Sequence, residues 1–162
     1  MLGRRSKTLA ILLTLCTLAA AQPTTWHAAS RNTSEQFLRS DQAVAIADSI
    51  VKYQLPCGGW MKNQDWAGGV NQREWQRALT TGVGATIDNG ATTTEVRFLA
   101  RMLYCSDAIS THKRHVYADA ICLAIRYLLQ MQYANGGFPQ FYPYERAATY
   151  ARHITLHADA LV

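Results

Sequence analysis

Two aspartates in separate stretches of the chain are the best candidates for metal chemistry. Asp88 lies in the segment TIDNGAT, and Asp159 lies in the segment RHITLHAD. A hard cation such as calcium binds several oxygen ligands, usually from more than one carboxylate, so the two residues form a candidate metal pair. Each has an ordinary structural alternative, because Asp-Asn-Gly is a strong turn signal and Asp159 is suited to cap a helix. The local spacing does not match an EF-hand loop.

Basic residues near these segments are candidates for binding anionic groups. Lys62, Arg146 and Arg152 suit this role, since lysine offers a mobile point charge and arginine pairs with a carboxylate in a two-pronged way. Lone basic residues are also common on solvated surfaces. His153 and His157 have no Glu or Cys companion at metal spacing, so zinc is not predicted. No nucleophile elbow, phosphate loop or dinucleotide fingerprint occurs in the sequence.

The elements that would position these residues include a repeated unit. The segment QLPCGGWMK, which begins at Gln54, aligns with QYANGGFPQFYPY, which begins at Gln132, at an offset of 132 − 54 = 78. The alignment superimposes the two Gly-Gly steps and pairs Trp60 with Phe138. These two rings and that of Tyr142 are candidates to pack against sugars. The equivalent positions of Trp60 and Phe138 instead favour a role in locking each loop onto its helix end. Such repeats suggest helices stacked in an array or a ring.

Apolar periodicity predicts three helices and no sheet of any size, so the fold class is all-α. The first helix begins near Ser40 or Asp41, the second runs from about Thr93 to Ser106, and the third runs from about Lys113 to Gln132. Binding residues on such a scaffold usually sit on the loops at the helix ends.

The same periodicity makes more detailed predictions. It places Ala100 and Tyr104 on the buried face of the second helix and Leu123 on that of the third. The segment from Met61 to Gly84 is polar and is predicted to be a long surface loop. Residues 22–39 show no apolar period and are predicted to form a flexible leader.

Residues 1–21 are typical of a secretory signal peptide. Arg4, Arg5 and Lys7 precede an apolar run and three alanines, and that run is shorter than the ~20 residues of a membrane span. The signal carries three of the positive charges, so a formal charge of +5 − 3 = +2 remains. Neither nucleic-acid binding nor membrane association after cleavage is predicted. The protein is expected to be secreted or periplasmic.

Three cysteines remain after the predicted cleavage: Cys57, Cys105 and Cys122. An odd number in an exported protein leaves at least one of them unpaired. Cys105 and Cys122 lie on apolar helix faces and are predicted to be small core residues. A single disulfide remains possible.

Several motifs together resemble the pectate lyases of polysaccharide lyase family ten. They are TIDNGATTTEVRFLARMLYCSD, AICLAIRYLLQMQYANGGFPQFYP and RHITLHADALV, and GGWMKN resembles the family's Gly-Gly-Trp-Pro-Lys-Asn segment. The resemblance implies that residues 40–162 form part of an incomplete (α/α) toroid, with the site in a central groove. It also implies cleavage of de-esterified pectin, a polygalacturonate, by β-elimination. Calcium would acidify the C5 proton of the sugar as a Lewis acid, and an arginine would act as base.

The resemblance assigns roles by position. Lys62 would meet a uronate carboxylate, Asn89 would contact the substrate, and Asp88 and Asp159 would lie at calcium. Ala158 stands where the family usually has a further aspartate. The family's catalytic arginine lies downstream of this motif, and no residue here matches it.

We therefore expect either a fragment of a lyase or a truncated, inactive relative. One alternative is a non-catalytic polyuronate-binding module. Another is a different α/α-toroid enzyme such as a glycoside hydrolase, which needs two carboxylates facing across a sugar bond. Asp88 and Asp159 satisfy that need only formally. The oligomeric state is not predicted.

Overall fold

The computed structural model describes residues 25–105, 107, 109–144 and 152–154. Within these residues the fold is helical, without strands longer than an isolated bridge, which confirms the all-α prediction. No helix in the described residues is long and apolar enough to cross a membrane. The helices are α1 (Trp26–Arg31), α2 (Glu35–Leu38), α3 (Asp41–Lys52), α4 (Gln72–Thr81), α5 (Thr93–Tyr104) and α6 (Thr111–Met131), and a short 3-10 turn spans Asp88–Gly90.

Serine caps fix the starts of two of the predicted helices. The Ser40 side chain accepts a hydrogen bond from Ala43 N at 3.2 Å and caps α3. Ser110 accepts from Lys113 N at 3.3 Å and caps α6. Each cap satisfies one of the backbone donors that a helix start leaves without a partner. The predicted helix starts therefore lie within two residues of the observed ones.

The core forms where α5 packs against α6 and α3. Its largest fully buried side chain is Trp60, whose Nε1 donates to Ile50 O at 2.7 Å. The buried face of α5 is made by Glu95, Phe98, Leu99 and Met102.

The predicted buried faces of α5 and α6 were wrong at three positions. Tyr104 is 88% exposed, Leu123 is 44% exposed, and Ala100 is also exposed. Apolar residues occupy more than one stripe of each helix, so periodicity alone does not select the face that packs. In α5 the structure buries a carboxyl-bearing residue, Glu95, which no hydrophobic pattern would select.

The prediction of a long surface loop from Met61 to Gly84 was wrong. This segment contains α4, and both Met61 and Trp66 are 3% exposed. The Asn71 side chain accepts from Glu74 N at 3.2 Å and caps α4. Gly82 ends the helix in the left-handed region, at a φ of 68°, where glycine is favoured. These local signals were present in a sequence whose polarity had indicated a loop.

The leader predicted over residues 22–39 contains the two short helices α1 and α2. Thr25 caps α1, and Ser34 caps α2. Trp26 of α1 packs its ring edge-on against Phe98 of α5, with 5.4 Å between the centroids. The expectation of a flexible segment was therefore wrong for residues 25–39. The predicted signal peptide, residues 1–21, lies outside the described residues.

The predicted repeat is present in the hydrogen bonding of the two Gly-Gly loops. Gln54 Nε2 donates to Gly58 O at 2.7 Å, and Gln132 Nε2 donates to Gly136 O at 3.1 Å. The residue after each glutamine also donates its backbone N–H within the loop. Leu55 N donates to Gly59 O at 3.0 Å, and Tyr133 N donates to Gly137 O at 2.8 Å. The surroundings differ, because the first loop packs against α6 whereas Gly136 lies in open space.

The cysteines of the described residues are all unpaired. Cys105 is buried, as predicted, and Cys57 is half-buried. Burial raises the pKa of the Cys57 thiol above its ordinary value. Cys122 is exposed on α6, so its prediction as a core residue was wrong.

Candidate functional site

Three loops meet at one end of the helices. We call them the first loop (residues 54–64), the second loop (83–92) and the third loop (132–144). Thr86 N of the second loop donates to Trp60 O of the first at 3.1 Å. The third loop joins them through a bridge between Thr86 and Phe141. These three loops are separate in the sequence and form one surface, as expected for loops at helix ends.

Buried hydroxyl groups tie these loops together. Thr92 Oγ1 accepts from Trp60 N at 3.0 Å and donates to Thr86 O at 2.8 Å. The Thr86 hydroxyl accepts from Asp88 N at 3.0 Å and donates to Gln140 O. Both threonines are completely buried. Satisfied buried polar networks of this kind fix a single arrangement of the chain.

Asp88 lies at the centre of this surface. Its Oδ2 accepts from Lys62 Nζ at 2.5 Å and from Gln140 Nε2 at 2.8 Å. The side chain of Asp88 is 10% exposed and that of Lys62 is 30% exposed. Lys62 Nζ also lies 5.3 Å from the ring centroid of Phe141, within the range of a cation–π contact. Asp88 is therefore part of the turn that its sequence indicated and also a partly buried charge.

Two asparagines flank this ion pair. Asn63 follows Lys62, and Asn89 follows Asp88. Asn89 Nδ2 donates to Asn63 Oδ1 at 3.0 Å, and both side chains are exposed. Both have positive φ angles, 60° for Asn63 and 55° for Asn89, a conformation that asparagine tolerates better than most residues. The pair presents amide groups to solvent beside a charged couple.

Gln140 is a site residue that the sequence reasoning missed. The repeat contained the signal, because the offset of 78 that pairs Trp60 with Phe138 also pairs Lys62 with Gln140, as 140 − 62 = 78. The two side chains at this position of the repeat converge on the same oxygen of Asp88. The structure thus uses its internal repeat to hold one carboxylate from both sides.

The aromatic side chains of the Gly-Gly steps have structural roles. Trp60 is completely buried, so it is not available to a sugar. Phe138 packs against the buried cluster that contains Tyr127. Tyr142 packs against Tyr127 with 6.1 Å between the ring centroids. The interpretation that Trp60 and Phe138 lock the loops is the one that the packing favours.

Several predicted site residues are not brought together by the described structure. Asp159 and Arg146 lie outside the described residues. The Arg152 guanidinium lies 5.8 Å from the ring centroid of Tyr144, and Arg152 O accepts from Tyr133 OH at 2.5 Å. Arg152 is therefore engaged with the third loop, and the pairing of Asp88 with Asp159 stays a prediction.

The described residues do not by themselves fit a calcium ion. Calcium takes about six to eight oxygen ligands, but the described part of the chain contains no group of three or more His, Cys, Asp or Glu placed to hold a metal. Asp88 Oδ2 already accepts from Lys62 and Gln140. A complete calcium site would need Asp159 and further oxygen atoms.

A second carboxyl group lies close to the loops. Glu95 in the first turn of α5 is 2% exposed, and its Oε1 accepts from Trp66 Nε1 at 2.7 Å. Its Oε2 is buried without a hydrogen-bond partner. Burial raises the pKa of Glu95 to about 7, against the opposing effects of the hydrogen bonds from Trp66 and from backbone amides. Such perturbed groups occur often near functional sites, although structural networks also produce them.

Two known structures are similar to this chain. A family 10 polysaccharide lyase from Cellvibrio cellulosa is 32% identical, with a TM-score of 0.55 over 78% of this chain and 35% of its own. An aspartate-to-alanine mutant of a family 10 lyase from the same organism, in complex with trigalaturonic acid, is 31% identical with the same TM-score and coverage. The chain thus spans about a third of the length of these structures. The comparison with curated proteins gave no match.

The family to which the chain belongs is shown by its amino-acid sequence. The pattern of the pectic acid lyase family matches residues 54–162, which include all three loops of the site. The chain belongs to the pectic acid lyase family. The resemblance stated from the motifs is therefore confirmed.

Proposed function

We propose that the chain binds polygalacturonate at the Lys62–Asp88 site and contributes to its cleavage by β-elimination. The observation that carries this proposal is the convergence of Lys62 and Gln140 on Asp88 beside an exposed asparagine pair. Membership of the pectic acid lyase family supports it. A similar lyase structure contains trigalaturonic acid, an oligomer of the same acidic sugar.

Lys62 would act on the carboxylate of a bound uronate. Its ammonium group is held by Asp88, and the Lys62 side chain is still 30% exposed, so a substrate carboxylate can share the ammonium group. Neutralising that carboxylate makes the neighbouring C5 proton more acidic. In the elimination a base removes this proton, the C4–O bond breaks, and a C4=C5 double bond forms. The leaving oxygen keeps the electron pair and takes up a proton.

Asn63 and Asn89 would orient the sugar. Their amide groups offer donors and acceptors that suit hydroxyl groups, and they lie beside the charged pair. We assign no residue as the base, and the catalytic residue stays unknown.

Calcium belongs to this proposal only together with Asp159. The family resemblance implies it, with Asp88 and Asp159 as carboxylate ligands. The described residues supply one of these carboxylates, and it is already bonded to Lys62. We therefore assign no step of the reaction to calcium. Export to a secreted or periplasmic location also stays a prediction, because residues 1–21 lie outside the described part.

Binding is tested by comparing Lys62→Met with Lys113→Met in affinity electrophoresis on polygalacturonate. Lys113 is a matched control, because it pairs with Asp48 on the surface of α3 and α6. We expect Lys62→Met to weaken binding by roughly tenfold, as expected for one charge-assisted hydrogen bond, and Lys113→Met to have little effect. Equal retardation of both variants and the unaltered chain would contradict the site assignment.

Cleavage is tested by the ultraviolet absorbance of unsaturated uronides, with added calcium and with a chelator. We expect Asp88→Asn to abolish product formation, whereas Asp48→Asn should retain it, and the chelator shows whether product formation depends on calcium. Binding without product in the unaltered chain would instead support a polyuronate-binding module. New reducing ends without unsaturated products would support a hydrolase.

A further inference from the structure

A basic cavity adjoins the proposed site. It has a volume of about 450 Å³, within the range of small-molecule sites, and lies between α1, the first and second loops and α5. Asn63 and Asn89 form part of its wall. Each asparagine is next in sequence to Lys62 or Asp88, so the cavity borders the surface on which the proposed substrate lies.

Three arginines line this cavity: Arg31, Arg97 and Arg101. Among the residues that the structure describes, none of them forms an ion pair with a carboxylate. Arg97 and Arg101 are four residues apart on α5, where like charges repel. Burial and the Arg97 charge both lower the pKa of Arg101. An anionic group bound between the arginines would relieve this repulsion.

Glu95, the carboxyl group in the wall of the cavity, does little to offset this charge. Its Oε1 accepts from Trp66, and burial raises its pKa to about 7, so it is largely neutral in mildly acidic solution. Arg101 is held in place by donation from its Nη2 to Ser30 O at 2.5 Å, while its Nε is buried without a partner. Arg31 and Arg97 are exposed and are free to turn toward a ligand. Guanidinium groups pair with carboxylates through two parallel hydrogen bonds.

We propose that this cavity is an additional subsite that holds the carboxylate of a further uronate unit of the same polysaccharide. The chain of sugars would run from Lys62 past Asn63 and Asn89 to Arg31 and Arg97. The inference rests on the proposed function, because it requires a polyuronate at Lys62. It adds a reason for the protein to prefer long uronate chains to short ones.

The test compares the binding of galacturonate trimers and hexamers by isothermal titration calorimetry with the full chain. The test variant is the double substitution Arg31→Gln/Arg97→Gln. The control is Arg114→Gln/Arg126→Gln, which removes the same charge from exposed positions on α6. Both variants alter exposed side chains, and far-UV circular dichroism would confirm that each keeps its helical content.

We expect the test variant to bind the hexamer roughly tenfold more weakly, as expected for the loss of charge-assisted hydrogen bonds. Its affinity for the trimer should stay close to that of the unaltered chain. The control variant should bind both oligomers like the unaltered chain. A hexamer affinity that is unchanged, or a loss shared equally by trimer and hexamer, would overturn the subsite but leave the proposed function standing. Failure of the unaltered chain to bind either oligomer would overturn both.

Discussion

The buried carboxyl group of Glu95 should make the stability of the protein depend on pH, and Glu95→Gln should remove that dependence. Three effects favour the ionised form: the hydrogen bond from Trp66 Nε1, hydrogen bonds from backbone amides, and the position of Glu95 in the first turn of α5, near the positive end of the helix dipole. Burial opposes them and dominates, since it raises the pKa from its ordinary value of 4.5 to about 7.

The sign of the effect follows from proton binding. Between pH 4.5 and about 7, the folded state keeps the proton on Glu95 whereas the unfolded state releases it. The folded state thus binds more protons in this range, and the free energy of unfolding falls as the pH rises. Each pKa unit corresponds to about 1.4 kcal/mol. The full effect is therefore about 3 kcal/mol, or roughly 6–12 °C in Tm for a chain of this size.

The assay is thermal unfolding followed by far-UV circular dichroism at several pH values from 4.5 to 7.5, at constant ionic strength. Glutamine keeps an oxygen that accepts from Trp66 but does not ionise. The Tm of the unaltered chain relative to Glu95→Gln should therefore fall across this range. Glu35→Gln on α2, where the side chain is 71% exposed, is the control for the loss of a surface carboxyl. Parallel curves for the unaltered chain and Glu95→Gln would refute the reasoning.

Two further predictions concern the loops, and denaturant unfolding measures both. Lys62→Met should lower the free energy of unfolding by about 1–3 kcal/mol, because it leaves Asp88 buried with a weaker set of partners. Lys113→Met, which removes a more exposed ion pair, should lower it by about 0–1 kcal/mol. Equal losses in the two variants would argue against a buried pair at Asp88. Gly58→Ala should cost more than about 3 kcal/mol, since its Cβ would lie 2.4 Å from a backbone oxygen of α6. Gly136→Ala should cost about 1 kcal/mol, from its positive φ alone, and similar losses at the two glycines would refute the packing difference.

The sequence predicted the helices whose apolar period and caps agree with each other. Ser40 and Ser110 cap helices whose apolar periodicity was recognised in the sequence. Helix α4 was missed because its segment is predominantly polar, although Asn71 and Gly82 mark its two ends. Local capping signals were more informative there than hydrophobicity. Tyr104 shows the opposite failure, because an apolar residue in phase with the core is 88% exposed.

The candidate site was predicted in part from motifs rather than from helix patterns. Lys62 and Asp88 were recognised from motif resemblance, but their contact joins residues 26 apart in sequence, and no local pattern states it. Gln140 lies 52 residues from Asp88 and carries no charge that would draw attention to it. Only the repeat relates it to Lys62. Glu95 was missed because a carboxyl residue near a helix start is usually a solvated one.

Backbone strain is concentrated in the loops that carry the site. In the described residues, three non-glycine residues have positive φ: Asn63, Asn89 and Thr92. Asparagine tolerates this region, but a β-branched residue at a φ of 64° and a ψ of −50° is a true outlier. Such strain persists only where the surroundings impose it. Here the imposing contacts are the two hydrogen bonds of the Thr92 hydroxyl, to Trp60 and Thr86. Since Trp60 lies two residues before Lys62 and Thr86 two before Asp88, the strained threonine fixes the spacing of the two charged side chains.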